Sequence, residues 1–398
     1  MTGRTRRSAG TLSAALWVSI AAAAVAFSLP LIGGCSENRA SSTAPAAQQA
    51  AAPPTERHFR MGFTPFPHDL TVEALTAVNG FLRDNADLIA DHFEGVPWAE
   101  AHAAKPFHPK LLEDWQRHKD ATPPNAKVYL AVSPIDMNRS DLAAYRGERE
   151  GLPVPEPLAG KAFDDPLVER AYLRYCREAI RFFQPDYLAV GIEVNELYHH
   201  SPAKWPAYVR LHEHVYDALK REHPGLPIFV TFTLHNMLNP EWRDRAQMLA
   251  AFKKLMAHSD LVAVSFYPFM GGLTDKVDDS LNWVVRELGP LGKPLAIAEM
   301  GQPAEPLAFA QPPLSIPGDE QSQRRVLEQV LGFCHGQRVE FVIWFVPRDY
   351  DALWDKIRGT SPEFFKAWKD CGLLDGQGNK RPAYDLWQQH FRLSFGPR

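Results

Sequence analysis

Eight short apolar runs rich in β-branched and aromatic residues punctuate this chain, at 59–63, 87–91, 127–132, 187–194, 228–233, 261–266, 294–298 and 339–345. Between them apolar residues recur at helical spacing, most clearly over 70–81, 167–183, 205–220, 244–257 and 322–333. Strand-like runs that alternate with amphipathic helices make βα units, and such units build a parallel sheet buried on both faces. Eight of them suffice to close that sheet into a (β/α)8 (TIM) barrel with its helices outside. An open doubly wound sheet is the competing arrangement. It calls for a glycine-rich phosphate loop after an early strand, and the sequence has none.

Two of the runs lead to a glutamate. Glu196 closes Tyr187-Leu-Ala-Val-Gly-Ile-Glu-Val-Asn-Glu196, and Glu299 closes Pro294-Leu-Ala-Ile-Ala-Glu299, 103 residues later. An acid at the end of a buried strand is costly unless it has a partner or a job. Active sites in barrels of this kind lie at the C-terminal ends of the strands, and paired carboxylates there suit glycosidic bond cleavage. One acid protonates the leaving oxygen; the second carboxylate attacks the anomeric carbon or activates water. A third acid, Glu193, lies one strand repeat before Asn195 and is expected to point inward and pair with a buried base.

Residues 1–34 are set apart from the fold. Arg4, Arg6 and Arg7 precede an apolar stretch from Leu12 to Leu31, the pattern of an export signal. Its ending, Leu31-Ile-Gly-Gly-Cys35, resembles a bacterial lipobox. That resemblance implies Cys35 as the lipidated first residue of the mature chain, held in the cell envelope, with Ser36 leaning towards the outer membrane. An uncleaved transmembrane anchor is the alternative, because roughly 20 apolar residues can span a bilayer. Residues 35–56 are small, polar and proline-bearing, which predicts a flexible tether.

The remaining 57–398 form one expected catalytic domain. Without the three leader arginines, 40 basic residues face 47 acidic ones, and no basic stripe is present, which argues against nucleic acid as a partner. A carbohydrate substrate, a membrane held through Cys35 and a monomeric state are the expectations. No cofactor and no catalytic metal are expected; Glu196 with His199 has di-iron spacing but lacks the helical-bundle pattern that chemistry needs. Cys176, Cys334 and Cys371 allow at most one disulfide, with Cys334 and Cys371 the candidates because both flank the last barrel unit.

Asn195-Glu196 after the fourth run, with Glu299 after the seventh, resembles glycoside hydrolase clan A, the retaining (β/α)8 glycosidases. The resemblance implies Glu196 as acid/base and Glu299 as nucleophile. Asp260-Leu-Val-Ala-Val-Ser-Phe-Tyr-Pro268 is similar to the sixth strand of that clan's endo-β-1,4-galactanases, which implies a hydrogen bond from Tyr267 to the nucleophile. Trp344, in Val-Ile-Trp-Phe of the eighth run, resembles the clan's indole floor beneath the sugar, and Lys380-Arg-Pro-Ala-Tyr-Asp-Leu-Trp387 resembles the closing helix of such barrels. The chain departs from the galactanases at Val194, where they carry glycine, and at the additional Glu193.

Other candidates follow from position. His235 and Asn236 end the fifth run with donors suited to a sugar hydroxyl or to the acid/base. Phe63, His68, Asp91, His92, Glu94 and Trp98 lie at or beyond the first two strand ends, with Trp98 offering the widest plane for a sugar face. The proline- and glycine-rich segment 138–165 should rise over the same face. His212-Glu-His214 reads as a solvated helix surface. The combined expectation is a lipid-anchored retaining hydrolase of β-linked poly- or oligosaccharides. A non-catalytic carbohydrate-binding lipoprotein on the same barrel, or an envelope transglycosylase using the same residues, are the alternatives.

Overall fold

The computed structural model describes residues 54–396 apart from 243 and 311–312. The leader, Cys35 and most of the tether lie outside the described residues. The barrel strands are β1 (Arg60–Phe63), β2 (Leu88–Phe93), β3 (Lys127–Val132), β4 (Tyr187–Ala189), β5, β6 (Val262–Phe266), β7 (Leu295–Met300) and β8 (Val339–Trp344). β5 comes in two stretches, Ile228–Phe229 and Thr231–Thr233, on either side of Val230. The first stretch pairs with β4 and the second with β6, all in parallel, and β8 pairs with both β1 and β7. The ring therefore closes through β5, and its nine parallel stretches fill eight barrel positions.

Side chains alternate about each strand, as a pleat requires. Leu88, Ala90, Tyr129, Ala131, Ala189, Phe229, Ala263, Ala296, Ala298, Phe341 and Ile343 form one buried cluster inside the barrel. Their neighbours, such as Ile89, Leu130, Leu188, Val264, Ile297 and Val342, join the larger cluster between strands and helices. Three aromatic rings set among alanines fill the interior, so the barrel is a packed core and not a pore.

The helices begin where local chemistry says they should. Asp165 caps α4 (Pro166–Phe183) through the Leu167 N–H, ahead of a proline at its first position. Asp319 and Ser322 make a reciprocal capping box at the start of α10 (Glu320–Gly336). No helix among the described residues is long and apolar enough to cross a membrane.

Two expectations change, and one open question, the pairing of Cys334 with Cys371, is answered. The run 187–194 is a regular strand only to Ala189; residues 190–194 become irregular while Val190, Gly191 and Val194 keep backbone hydrogen bonds to β5, and they lead into α5 (Asn195–His200). His212 on α6 (Trp205–Glu222) is buried, its Nε2 2.7 Å from the carbonyl oxygen of His258, and burial lowers its pKa to about 4. A two-residue spacing puts His214 on the exposed face and His212 on the packed one. Cys334 and Cys371 are both free, held in separate buried clusters.

Candidate active site

Strict alternation along β7 would send Glu299 outward, because Ala296 and Ala298 face the barrel interior. The register prevents this. Val264 pairs with Ile297 and Ser265 with Glu299, so a β-bulge at Ala298 puts two successive side chains on the inner face and returns Met300 to the outer layer. Gly301 then lets the chain pass close to β8, since a Cβ there would lie 2.9 Å from the Phe345 carbonyl oxygen. The re-aimed Glu299 carboxylate accepts a hydrogen bond from the Tyr267 hydroxyl on one oxygen. Its other oxygen lies 3.1 Å from His92 Nδ1. Tyr267 follows β6, and His92 is the inward residue near the end of β2, so three strands converge on this acid.

Glu196 sits in the first turn of α5 and is fully buried. One carboxylate oxygen accepts hydrogen bonds from the Thr233 hydroxyl and from Asn236 Nδ2, the latter at 2.7 Å. The other lies 3.4 Å from His200 Nε2, one helical turn on. Asn195 is committed to the end of β5: its Nδ2 donates to the Thr233 hydroxyl at 3.0 Å, and its Oδ1 accepts from the Thr233 N–H at 2.9 Å. Asn195 therefore fixes α5 against β5.

Glu193 is the third buried acid, in the left-handed backbone region at φ 52°. Its N–H donates to Thr231 Oγ1 at 2.9 Å, and its Oε2 accepts from Arg139 Nη2 at 3.1 Å. Arg139, buried at the start of the segment after β3, also lies 3.6 Å from Glu94. The inward acid thus has its buried base, shared with a second carboxylate. Burial raises the Glu193 pKa to about 7; Arg139 opposes the shift, and the negative charges of Glu299 and Glu196 add to it. Burial raises Glu94 as well, against the pull of Arg139. Burial and then the charges of Glu299 and Glu193 push the Tyr129 phenol far up, and this interior ring packs edge-on against His92 at 5.5 Å.

His235 and Asn236 both reach the site. Asn236 holds Glu196, and His235 Nδ1 lies 3.5 Å from the Tyr267 N–H that donates to it. Burial lowers the His235 pKa to about 4, against the pull of Glu196, so the ring is neutral near pH 7. Asp91, one residue before His92, points the other way and meets His118 on α3 (Pro109–Ala121) at 2.8 Å.

Two indoles do not join the site. Trp344 shares the outward face of β8 with Val342, buried in the helix layer, with its Nε1 donating to the Cys371 carbonyl at 2.9 Å. Phe345 is the inward residue at that end and packs at 6.2 Å, edge-on, against Tyr267. Trp98, opening α2 (Trp98–Ala103), is fully buried and donates to the Ala143 carbonyl at 2.7 Å, which ties down the 138–165 segment and leaves no face for a sugar. Trp98 was singled out for its wide ring and Trp344 through the resemblance to the clan's indole floor, and a large ring serves a core equally well. The sequence reading passed over Tyr129, Arg139, Thr233 and Phe345. Alternation from Ala131 and from Ile343 would have found Tyr129 and Phe345; Arg139 carried no such signal.

Three buried polar atoms at this mouth, His92 Nε2, Tyr129 Oη and Glu196 Oε2, have no hydrogen bond among the described residues. A ligand dense in hydroxyl groups can satisfy such donors and acceptors together.

No protein-family model and no curated protein sequence matches this chain. Solved structures do. An exo-β-1,4-mannosidase from Opitutaceae bacterium strain TAV5 superposes with a TM-score of 0.60 at 11% identity, over 85% of this chain and 60% of that one. A GH5_18 protein from Streptomyces cattleya, solved with Manβ1-4GlcNAc, gives 0.59 at 15% identity, over 85% and 83%. Xylanase 10B from Thermotoga maritima gives 0.53 at 12% identity, over 84% and 95%. The chain spans less than two thirds of the mannosidase's length. At these identities the likeness establishes the (β/α)8 fold.

Proposed function

We propose that this protein is a retaining glycoside hydrolase acting on β-glycosidic bonds in a poly- or oligosaccharide. The observation that carries the proposal is Glu299: a bulge turns it to the inner face of the barrel, Tyr267 and His92 orient it, and two further buried glutamates, Glu193 and Glu196, stand beyond the end of the fourth strand. Glycosidase structures sharing the barrel support the same class of chemistry. Glu299 attacks the anomeric carbon, and a glutamate from the β4 end, Glu196 in the sequence reading, protonates the departing oxygen and then activates water. The Tyr267 hydroxyl and His92 hold the nucleophile on its attack line, a positioning role.

The proposal includes lipidation of Cys35 and residence in a bacterial cell envelope, supported by the leader sequence. The test is turnover of β-galactan, β-mannan, β-glucan, xylan and aryl β-glycosides by wild type and by Glu299→Gln. Hydrolysis abolished in the variant supports the enzyme. Equal glycan binding by both proteins without turnover of any substrate supports the carbohydrate-binding alternative. Oligosaccharide products longer than the substrate support transglycosylation.

A further inference from the structure

The end of the fourth strand presents two glutamates to a reaction that needs one proton donor. We infer that Glu193, and not Glu196, gives the proton to the leaving oxygen and later takes one from water, so that the reacting pair is Glu193 with Glu299. The inference rests on the retaining-hydrolase reading of the site.

Glu196 is the worse placed of the two. It is fully buried, one oxygen already accepts two hydrogen bonds, and those donors, Thr233 and Asn236, belong to the end of β5 and the turn after it. Its second oxygen faces His200 on its own helix. Glu193 stands in the mouth with the nucleophile. Its N–H donates to Thr231 Oγ1 of β5 at 2.9 Å, and its carboxylate meets Arg139, which also reaches Glu94 just past the end of β2, the strand whose His92 lies against Glu299.

Only Oε2 of Glu193 is engaged by Arg139; its Oε1 accepts no hydrogen bond among the described residues and can carry the mobile proton. The left-handed backbone at Glu193 is the kind of local strain that functional sites retain.

The charges facing Glu193 suit both halves of the cycle. Arg139 lies 3.1 Å away and divides its charge with Glu94, Glu196 adjoins along the chain, the charges of Glu299 and Glu196 raise the Glu193 pKa, and the Tyr129 and Tyr267 phenols near the nucleophile stay neutral. With burial and the neighbouring carboxylates raising its pKa to about 7, a substantial fraction of Glu193 carries a proton near pH 7. Glu299 then bonds to the anomeric carbon, the bond from that carbon to the leaving oxygen breaks, and the Glu193 proton passes to that oxygen. Forming the ester removes the Glu299 charge, which lowers the proton affinity of Glu193 and leaves it a carboxylate. That carboxylate accepts a proton from water as the water oxygen bonds to the anomeric carbon and Glu299 departs ionised. Glu196 becomes a positioning residue, holding Thr233 and Asn236 and adding negative charge.

The test compares Glu193→Gln, Glu193→Ala, Glu196→Gln, Glu196→Ala and Glu299→Gln in the full chain, on aryl β-glycosides with poor and good leaving groups, with and without azide. Loss of the proton donor should lower the rate on poor leaving groups by about 10²–10⁴-fold. It should spare bond cleavage on dinitrophenyl glycosides. For Glu193 variants the account expects this split, recovery of turnover and glycosyl azide formation in Glu193→Ala, and disappearance of the alkaline limb of kcat/KM near pH 7. Glu196 variants should keep that limb and gain nothing from azide. A purely structural Glu193 would lower all substrates alike and show no azide product, which overturns the inference, as does azide rescue confined to Glu196→Ala. Failure of wild type on every glycoside, or full activity in Glu299→Gln, overturns the underlying retaining-hydrolase reading instead.

Discussion

Two groups of buried acids lie beyond the strand ends of this barrel, and they differ in how their charge is met. In the segments after β7 and β8, Asp349 and Asp370 are buried beside Arg381 and Lys369, one base for each acid. Arg381 also binds Glu305 at 2.8 Å and Glu320 at 3.0 Å, and Asp349 takes the Gly372 N–H at 2.7 Å. At the barrel mouth, Glu193, Glu196 and Glu299 are buried together, and Arg139 is the one arginine or lysine paired with any of them among the described residues. In the first group each buried acid has a base directly against it, although Arg381 Nε itself has no hydrogen bond among the described residues. The second sets three buried acids against one such base and so keeps unmatched negative charge, which is the difference between holding a fold and doing chemistry. A raised pKa does not separate them: burial raises Asp349 to about 7 despite Arg381, just as it raises Glu193.

Substitutions break this contrast in order of size. Glu299→Gln should cost on the order of 10⁴-fold in kcat/KM, the loss of a group that bonds to substrate, with the melting temperature held. Arg381→Leu should do the reverse. It strands the buried Asp349 carboxylate and should cost about 3–5 kcal/mol of stability in denaturant unfolding, while activity per folded molecule stays near wild type.

Tyr267→Phe removes the hydroxyl that donates to Glu299. A hydrogen bond to a charged group contributes about 1.5–3 kcal/mol, so kcat should fall roughly 10–100-fold with little change in KM. The smallest effect sharpens the mouth itself. Arg139 holds the Glu193 pKa down, and a proton donor works in its protonated form. Arg139→Gln should therefore move the alkaline limb of kcat/KM upward from near pH 7, by about one unit.

Much of this architecture was legible in the sequence because apolar alternation and strand ends are local signals. Lys127–Val132 forms as read, the fourth run is a regular strand only to Ala189, the fifth is interrupted at Val230, and the others differ at their margins. Glu193 with its buried base followed from strand phase, and the Tyr267–Glu299 hydrogen bond from the resemblance to the galactanases, whereas His92, expected as a substrate contact, meets Glu299 instead. The failures have physical causes. Trp344 and Phe345 are adjacent, and only counting parity from Phe341 decides which faces the axis. Glu299 reaches the inner face through a bulge that no residue type announces, and Arg139 arrives from an irregular segment whose path depends on tertiary packing. Trp98 offered a ring, and the loop around Ala143 claimed it first.

The central claim is that Glu299 becomes bonded to the sugar. Incubating the protein with 2-deoxy-2-fluoro β-glycosides of glucose, galactose, mannose and xylose bearing a good leaving group, then mapping the labelled peptide by mass spectrometry, tests it directly. The account predicts one glycosyl mass on the peptide that carries Glu299, released slowly on adding an acceptor. A label on another residue, or turnover of the parent glycosides without any trapped ester, would contradict it.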